Sequence, residues 1–380
     1  MKGKGKKTLW CSFLSLTLLF FFGCTSKGTY IPLYEPPEKK QPFFPSPYLE
    51  PLPAHRVPEF SDDMDGSSLI KAIDSSLIFF RLFNNDEPFY MGQFPTTVAK
   101  VRDTLLFLRD IARKNHTEIA LKDFHLFRAR GDDGTGKITF TGYYEPLLYG
   151  SLERSERFKY PLYRAPTNML KKYTRKEIDR HGALAGKGLE LLWVDDPVEL
   201  FFLHIQGSGK IELEDGRTIN VGFDGTNGYP YTSIGTYLLK AGKLTENDLS
   251  MVTIKKYLRD HPAERDEILD KNERYVFFRI VTDGPRGALA VPLTGGRTIA
   301  SNLSLYPKGA PALIFTKKPI IKNSKVIAKQ NLARLVFNQD TGVALSRAGR
   351  VDIFMGSGEE AALQAGFLKE TGELYFLLKK

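Results

Sequence analysis

The sequence predicts a mainly β fold of barrel type with a few helices. From about residue 136 the chain reads as short strands and turns, with Asp215-Gly216 as a two-residue hairpin signal between two of the strands. Ahead of that point, two stretches carry helical periodicity instead. The 380 residues, 42% hydrophobic and 26% charged, leave room for two domains or one large domain with an insertion. A single long apolar run, at the extreme N-terminus, excludes a multi-span membrane protein. Two cysteines and six scattered histidines argue against a disulfide scaffold, a multi-cysteine zinc or iron–sulfur site and a zincin-type site.

In chain order, residues 1–23 read as an export signal. Lys2, Lys4, Lys6 and Lys7 precede an apolar stretch from Trp10 to Phe22, and Gly23 stands before Cys24. A small residue followed by cysteine marks a bacterial lipoprotein signal, with Cys24 as the lipidated residue. Cleavage there would remove Cys11 and four lysines and lower the net charge from +10 to +6. The mature chain stays basic, which suits an anionic polymer or membrane surface, but it lacks the dense basic stripe of a nucleic-acid binder. Thr25 after the cysteine points to the outer membrane, facing the periplasm. Residues 24–60 are rich in proline, nine of them between Pro32 and Pro58, and read as an extended tether.

Leu69, Ile70, Ile73, Leu77 and Phe80 recur at helical spacing, as do Val98, Val101, Leu105, Leu108 and Ile111 behind a Thr96 or Thr97 cap. Strands are expected at 137–144, 199–206, 210–213 and 218–221, then a helical patch over 233–271. Further strands follow at 275–281, 288–293, 312–316, 334–338, 351–355 and 374–378. Ser357-Gly-Glu-Glu360 reads as a capping box opening a last helix.

Three motifs fail on their context. Gln206-Gly-Ser-Gly209 lacks the first glycine of a nucleophile elbow. Gly182 to Lys187 is one residue short of a phosphate loop. Asp340-Thr-Gly342 occurs once, where an aspartic protease needs two copies. Asp352 is different. On a strand it shares a face with Phe354, while Val351, Ile353 and Met355 share the other. An aspartate on an apolar strand is costly unless hydrogen-bonded or used. Desolvation beside Phe354 would raise its pKa toward that of a general acid, whereas a partner such as Arg350 would make it an ordinary rim aspartate.

Several segments in order, Phe140 to Pro146, Gly182 to Glu190, Trp193 to Pro197, Phe202 to Gly209, Asn227 to Tyr231 and Tyr275 to Arg279, together with Gln339 to Gly342, Gly349 to Asp352 and Phe354 to Gly358, resemble the membrane-bound lytic murein transglycosylase A family with its C-terminal three-aspartate domain. The resemblance implies a double-psi β-barrel, from 61–145 plus 274–380, with a smaller β domain inserted at 146–273 and a groove between them. It implies cleavage of the β-1,4 bond between N-acetylmuramic acid and N-acetylglucosamine in peptidoglycan, leaving 1,6-anhydromuramyl ends and using neither water, metal nor cofactor. By position, Asp352 would be the acid/base and Asp340 its supporting aspartate. Asn302 stands where the first of the three aspartates belongs, and Val343 and Ser346 replace a glycine and a basic residue.

One carboxyl can suffice if the sugar's own C6 hydroxyl is the nucleophile. Groove candidates are Tyr143, Tyr144 and Tyr229 for stacking, and Thr141, Glu145, Gln206 and Ser208 for hydrogen bonding. Gly207 and Gly209 would allow close backbone approach. The expected partners are glycan strands, a membrane reached through the lipid anchor, and complexes of cell-wall enzymes. Two alternatives stay open: a water-using hydrolase with Asp340 or Glu145 as second carboxylate, and a non-catalytic glycan-binding lipoprotein.

Overall fold

A computed structural model describes residues 43–380, apart from 115–118, 168–172, 247–248, 283 and 324. The expected signal at 1–23, the lipidated Cys24 and the first half of the proline-rich segment lie outside the described residues.

The described chain opens with β1 (Leu49–Pro51) and α1 (Gly66–Phe80), then a hairpin of β2 (Pro88–Met91) and β3 (Phe94–Thr97). α2 (Val98–Arg113) is capped by Thr97, whose hydroxyl accepts from the Lys100 N–H, and β4 (Phe124–Ala129) follows. β1 pairs with β4, and the Phe43 ring packs 4.5 Å from that of Phe89 and 4.8 Å from Phe83. The second half of the proline-rich segment is therefore not a free tether. Its apolar residues hold it to the body, and proline is tolerated there because β1 is an edge strand. The buried Arg297 guanidinium secures the next stretch, reaching Asp62 Oδ2 at 2.6 Å, the Asp65 carbonyl at 3.0 Å and Ser68 Oγ at 3.1 Å.

β5 (Ile138–Glu145) starts the barrel, and the chain then leaves it for the insert. There β6 (Leu147–Ser151), β7 (Tyr160–Tyr163), α3 (Arg175–Asp179), β8 (Glu190–Val194), α4 (Pro197–Gln206), β9 (Ser208–Leu213) and β10 (Thr218–Thr226) precede α5 (Ile234–Lys240), α6 (Met251–Asp260), α7 (Pro262–Asp270) and β11 (Val276–Val281). Its six strands form one sheet in the order β11-β10-β9-β6-β8-β7. Two expectations change here. Residues 199–206 lie in α4 rather than a strand, with Asp196 capping and Pro197 in the first turn. β11 pairs with β10 along its whole length, so the chain stays in the insert to Val281 instead of leaving it at residue 274.

The barrel resumes with β12 (Thr298–Ala300), β13 (Pro311–Lys322), β14 (Lys325–Asp340), β15 (Arg350–Ser357), α8 (Glu359–Phe367) and β16 (Lys369–Lys379). Six strands close a ring, β5-β15-β12-β14-β13-β16, with β16 pairing back to β5. The β5–β15 and β12–β14 pairs are parallel and the rest antiparallel. This barrel-plus-insert architecture is the one the resemblance implied. Ile138, Phe140, Val351 and Ile353 alternate into the core, and α1 and α2 cover the same hydrophobic cluster from outside.

Residues 288–293 form a turn rather than a strand, with Arg286 bridged to Pro292. Ser357 does not cap α8. Its hydroxyl donates to Glu145, and Gly358, at φ 91°, stands at the cap without a side-chain bond. The polar pair Asn338-Gln339 is buried because it is fully used. Gln339 Nε2 donates to the Ala72 carbonyl at 2.7 Å and Ser76 Oγ at 2.9 Å, and Asn338 Nδ2 to the Pro307 carbonyl at 3.0 Å.

Candidate active site

The short strand β12 sets the geometry. Ala300 is the register partner of Asp352 on one side and of Asp340 on the other, and Thr141 on β5 is the partner of Asp352 in turn. Thr141, Asp352, Ala300 and Asp340 thus form one row across four neighbouring strands. With strands about 4.8 Å apart, the two aspartate backbones stand about 10 Å from each other. Strand alternation turns Thr141, Tyr143, Asp352 and Phe354 away from the barrel core, the faces of their neighbours being filled by Phe140, Val351 and Ile353.

Asp352 does not stand in the apolar surroundings expected beside Phe354. Arg350 forks onto it, Nε 2.9 Å from Oδ1 and Nη2 3.2 Å from Oδ2, and the Thr141 hydroxyl also donates to Oδ1. Arg350 reaches Thr141 Oγ1 as well, at 3.3 and 3.1 Å. Two residues apart on one strand, Arg350 and Asp352 share a face, and that spacing already made this partner readable in the sequence.

Asp340 is the carboxyl that burial perturbs. Its Oδ2 accepts from the Tyr143 hydroxyl at 2.7 Å, and its Oδ1 from the Ala288 and Thr341 N–H groups, each at 2.8 Å. Burial nonetheless pushes it up to about 6, outweighing those three donors, and the charge on Asp352 adds to the rise. Tyr143 is held well above the usual tyrosine range, first by burial and then by Asp340, so it stays a proton donor to that carboxylate. Its ring lies 5.2 Å from Phe354.

The insert brings the loop from Asn227 to Thr232 near Arg350, the partner of Asp352. Asn227 is buried, and its Nδ2 donates to the Tyr173 and Glu273 carbonyls, both at 2.8 Å. Its Oδ1 accepts from the N–H of Tyr275 at 2.9 Å and of Tyr229 at 3.4 Å. Asn272 Oδ1 takes the Thr232 N–H at 3.1 Å. Two buried amides therefore fix the loop without help from solvent. Burial raises the Tyr231 hydroxyl, while Ser233 and the charge of Arg350 pull it back, which sets Tyr231 within electrostatic reach of the Asp352 partner. Tyr229 lies on the same loop, half-buried. Neither Asn227 nor Tyr231 was singled out from the sequence, although both lie in the Asn-Gly-Tyr-Pro-Tyr segment.

The other expected residues gather elsewhere. Tyr144 is buried against Ala361 and Ala365 of α8, and its hydroxyl accepts from Lys255 at 2.9 Å, so its ring is not a free sugar platform. Glu145 is buried, paired with Lys210 at 3.3 Å and accepting from Ser357. Gln206 Oε1 accepts the Tyr144 N–H at 3.3 Å. Gly207 closes α4 in the left-handed region at φ 80°, with open space beside its Cα, and Ser208 begins β9 opposite Gly222. At Gly209 a Cβ would stand 2.4 Å from Leu203 Cδ1 and 3.0 Å from the Pro146 carbonyl oxygen. Helix packing explains that glycine better than ligand approach does. Asn302 pins a turn, its Nδ2 donating to the Ser346 carbonyl and its Oδ1 accepting from the Ser304 N–H, both at 3.0 Å.

Comparison with known proteins adds two kinds of finding. Residues 139–279 match the family model described as the MltA specific insert domain, and residues 297–378 match the 3D domain. Over 254 residues the chain is 34% identical to the membrane-bound lytic murein transglycosylase A of Escherichia coli K12, covering 66% of this chain and 68% of that protein. The protein of the same name from Vibrio cholerae is 32% identical over 250 residues, 65% of this chain and 67% of that one. Among solved structures, a membrane-bound lytic murein transglycosylase from Agrobacterium tumefaciens is similar at 30% identity and TM-score 0.67, covering 83% of this chain and 93% of the other. E. coli MltA with bound chitohexaose matches at 26% identity and TM-score 0.71, over 91% and 99%.

Proposed function

The chain belongs to the membrane-bound lytic murein transglycosylase A family of peptidoglycan-cleaving lyases, and from that premise we propose that it breaks the β-1,4 bond between N-acetylmuramic acid and N-acetylglucosamine with Asp352 as its single acid/base. The observation that carries this reading is the Thr141–Asp352–Ala300–Asp340 row, whose Arg350 partner lies near the insert loop at Tyr231. A relative of the same fold was solved with chitohexaose bound, which supports a glycan strand as the ligand here.

Asp352 gives a proton to the glycosidic oxygen as the bond to C1 breaks. An oxocarbenium-like centre forms on the muramyl ring. The C6 hydroxyl then closes on C1 and returns its proton to Asp352, leaving a 1,6-anhydro end. Ring closure is intramolecular, so it outruns water at high effective molarity. Arg350 covers both oxygens of Asp352, so donation requires that fork to open as glycan enters. Tyr143 and the two backbone donors hold Asp340 in place beside it.

A second assignment rests on Asp340, whose carboxyl keeps its proton to about pH 6. Here Asp340 donates to the glycosidic oxygen and Asp352 takes the C6 proton. Glu145 fits neither role. It lies four residues along β5 from Thr141, about 13 Å, beyond the roughly 6.5–9.5 Å that separates paired glycosidase carboxyls. It is also committed to Lys210 and Ser357.

Mass spectrometry of murein digested in ¹⁸O-water is expected to show anhydromuramyl ends free of label. Labelled reducing ends would establish a hydrolase instead. Asp352→Asn is expected to lower the rate by about two to four orders of magnitude. If Asp340→Asn loses as much while Asp352→Asn retains most of its activity, the second assignment replaces the first.

The same reading places an export signal at 1–23 and a lipid on Cys24, with the enzyme held at the outer membrane facing the periplasm. Acyl labelling of the whole chain should disappear in Cys24→Ser, and the variant should leave the membrane fraction. Retained label would remove the anchor from the proposal.

A further inference from the structure

The hairpin of β13 and β14 runs past the barrel. β16 pairs with β13 only from Ala312 to Phe315, and β12 pairs with β14 only near Phe337 to Asp340. Beyond Thr316 and Leu332 the two strands pair with no other strand among the described residues, as far as the Lys322–Lys325 pair. The arm reaches about 20 Å from the barrel at about 3.3 Å per residue.

Its composition is one-sided. Residues 317–331 hold five lysines and no acid. Lys318 and Lys329 pin the base of the arm, to Asp63 at 3.2 Å and to Glu370 at 2.5 Å. Lys317, Lys322 and Lys325 have no acidic partner among the described residues, and all three are exposed. Lys322 and Lys325 are direct cross-strand partners, an arrangement of like charges that disfavours the hairpin on its own. Between these lysines stand exposed aliphatic side chains, Ile320 and Val326 at 40% and Ile327 at 60%. Edge lysines alone would be ordinary protection against strand pairing. Leaving Ile327 in water beside them serves no such purpose.

We propose that this arm is a membrane-contact element that seats on the interface of an anionic phospholipid bilayer. Lipid phosphates would neutralise the opposed lysines, and the headgroup–acyl boundary would take up Ile320, Val326 and Ile327. The carboxylates of a polysaccharide would satisfy the lysines but leave the aliphatic side chains wet, so a bilayer fits both features and the wall fits one. The arm is separate from the Asp352 row, and the inference does not depend on the reaction assigned to that row.

The test uses the full chain carrying Ile327→Trp in a Trp10→Phe, Trp193→Phe background, with vesicles of phosphatidylcholine alone or mixed with phosphatidylglycerol, each containing brominated acyl chains. An N-terminal lipid would bring the protein to both kinds of vesicle, so quenching of the arm's own tryptophan reports the arm alone. Quenching is expected with phosphatidylglycerol only, and salt should weaken it. Adding Lys317→Glu, Lys322→Glu and Lys325→Glu should weaken the vesicle interaction of the arm about a hundred-fold, with cleavage of solubilised murein unchanged. No quenching on anionic vesicles, or quenching indifferent to the lysines, overturns the proposal. So does loss of binding to isolated sacculi in the lysine variant, which would make the arm a wall-gripping element, or a dimer that buries Ile327 without lipid.

Discussion

Asp340 keeps a proton to about pH 6 because burial outweighs three hydrogen-bond donors. An aspartate in an unfolded chain loses its proton near pH 4. The folded state therefore binds this proton more tightly than the unfolded state. That contribution to stability is complete below about pH 4 and is lost as the pH rises through about 6. Two pH units correspond to about 3 kcal/mol. Asp340→Asn keeps an oxygen for the Ala288 and Thr341 N–H groups and removes the charge. Urea denaturation is expected to show the variant gaining about 2–3 kcal/mol on the native chain between pH 4 and pH 7. A difference that stays flat over this range would show that Asp340 titrates normally. Asp352 is built differently, with a guanidinium on both oxygens, so the two aspartates flanking Ala300 have unequal surroundings.

Among the elements, α8 shows how closely the barrel is packed. A Cβ on Gly142 would stand 2.5 Å from Ala365 Cα, in the helix backbone, which has no side chain to move aside. Gly142→Ala is therefore expected to destabilise the chain by about 1–3 kcal/mol, read from the urea midpoint. It should also lower activity, because Gly142 separates Thr141 from Tyr143. Much of the barrel was legible in the sequence because its strands alternate or run apolar, as 351–355 and 374–378 do. α4 was not. Its run from Leu200 to Ile205 is apolar apart from the buried His204 and has no period to read, and the deciding signal is the Asp196-Pro197 start. The proline-rich stretch misled for another reason: an edge strand tolerates proline, and Phe43 supplies contacts that composition cannot display. Asp352 and Asp340 were legible through motif. Ala288, Tyr231 and Asn227 reach the site from turns and loops, where no periodicity marks them.

At the scale of the whole molecule, the candidate site draws on both lobes: the barrel supplies the aspartates and the insert supplies the loop near Arg350. A glycan lying between them should touch both. Amide exchange measured with chitohexaose is expected to slow together in Arg350–Ser357 and in the loop from Asn227 to Tyr231. Protection confined to the barrel would remove the insert from the glycan site. The ring itself is sealed by β16, which bonds to β13 on one side and to β5 on the other. Its outermost pairs join Thr141 to Lys369 and Ala312 to Phe376, so the strands that meet at this joint are made far apart in time. Residues 369–376 must all be made before that seam is complete, and until then the nascent polypeptide holds an open sheet. Such late sealing leaves every earlier barrel strand without a closed ring to join until β16 emerges.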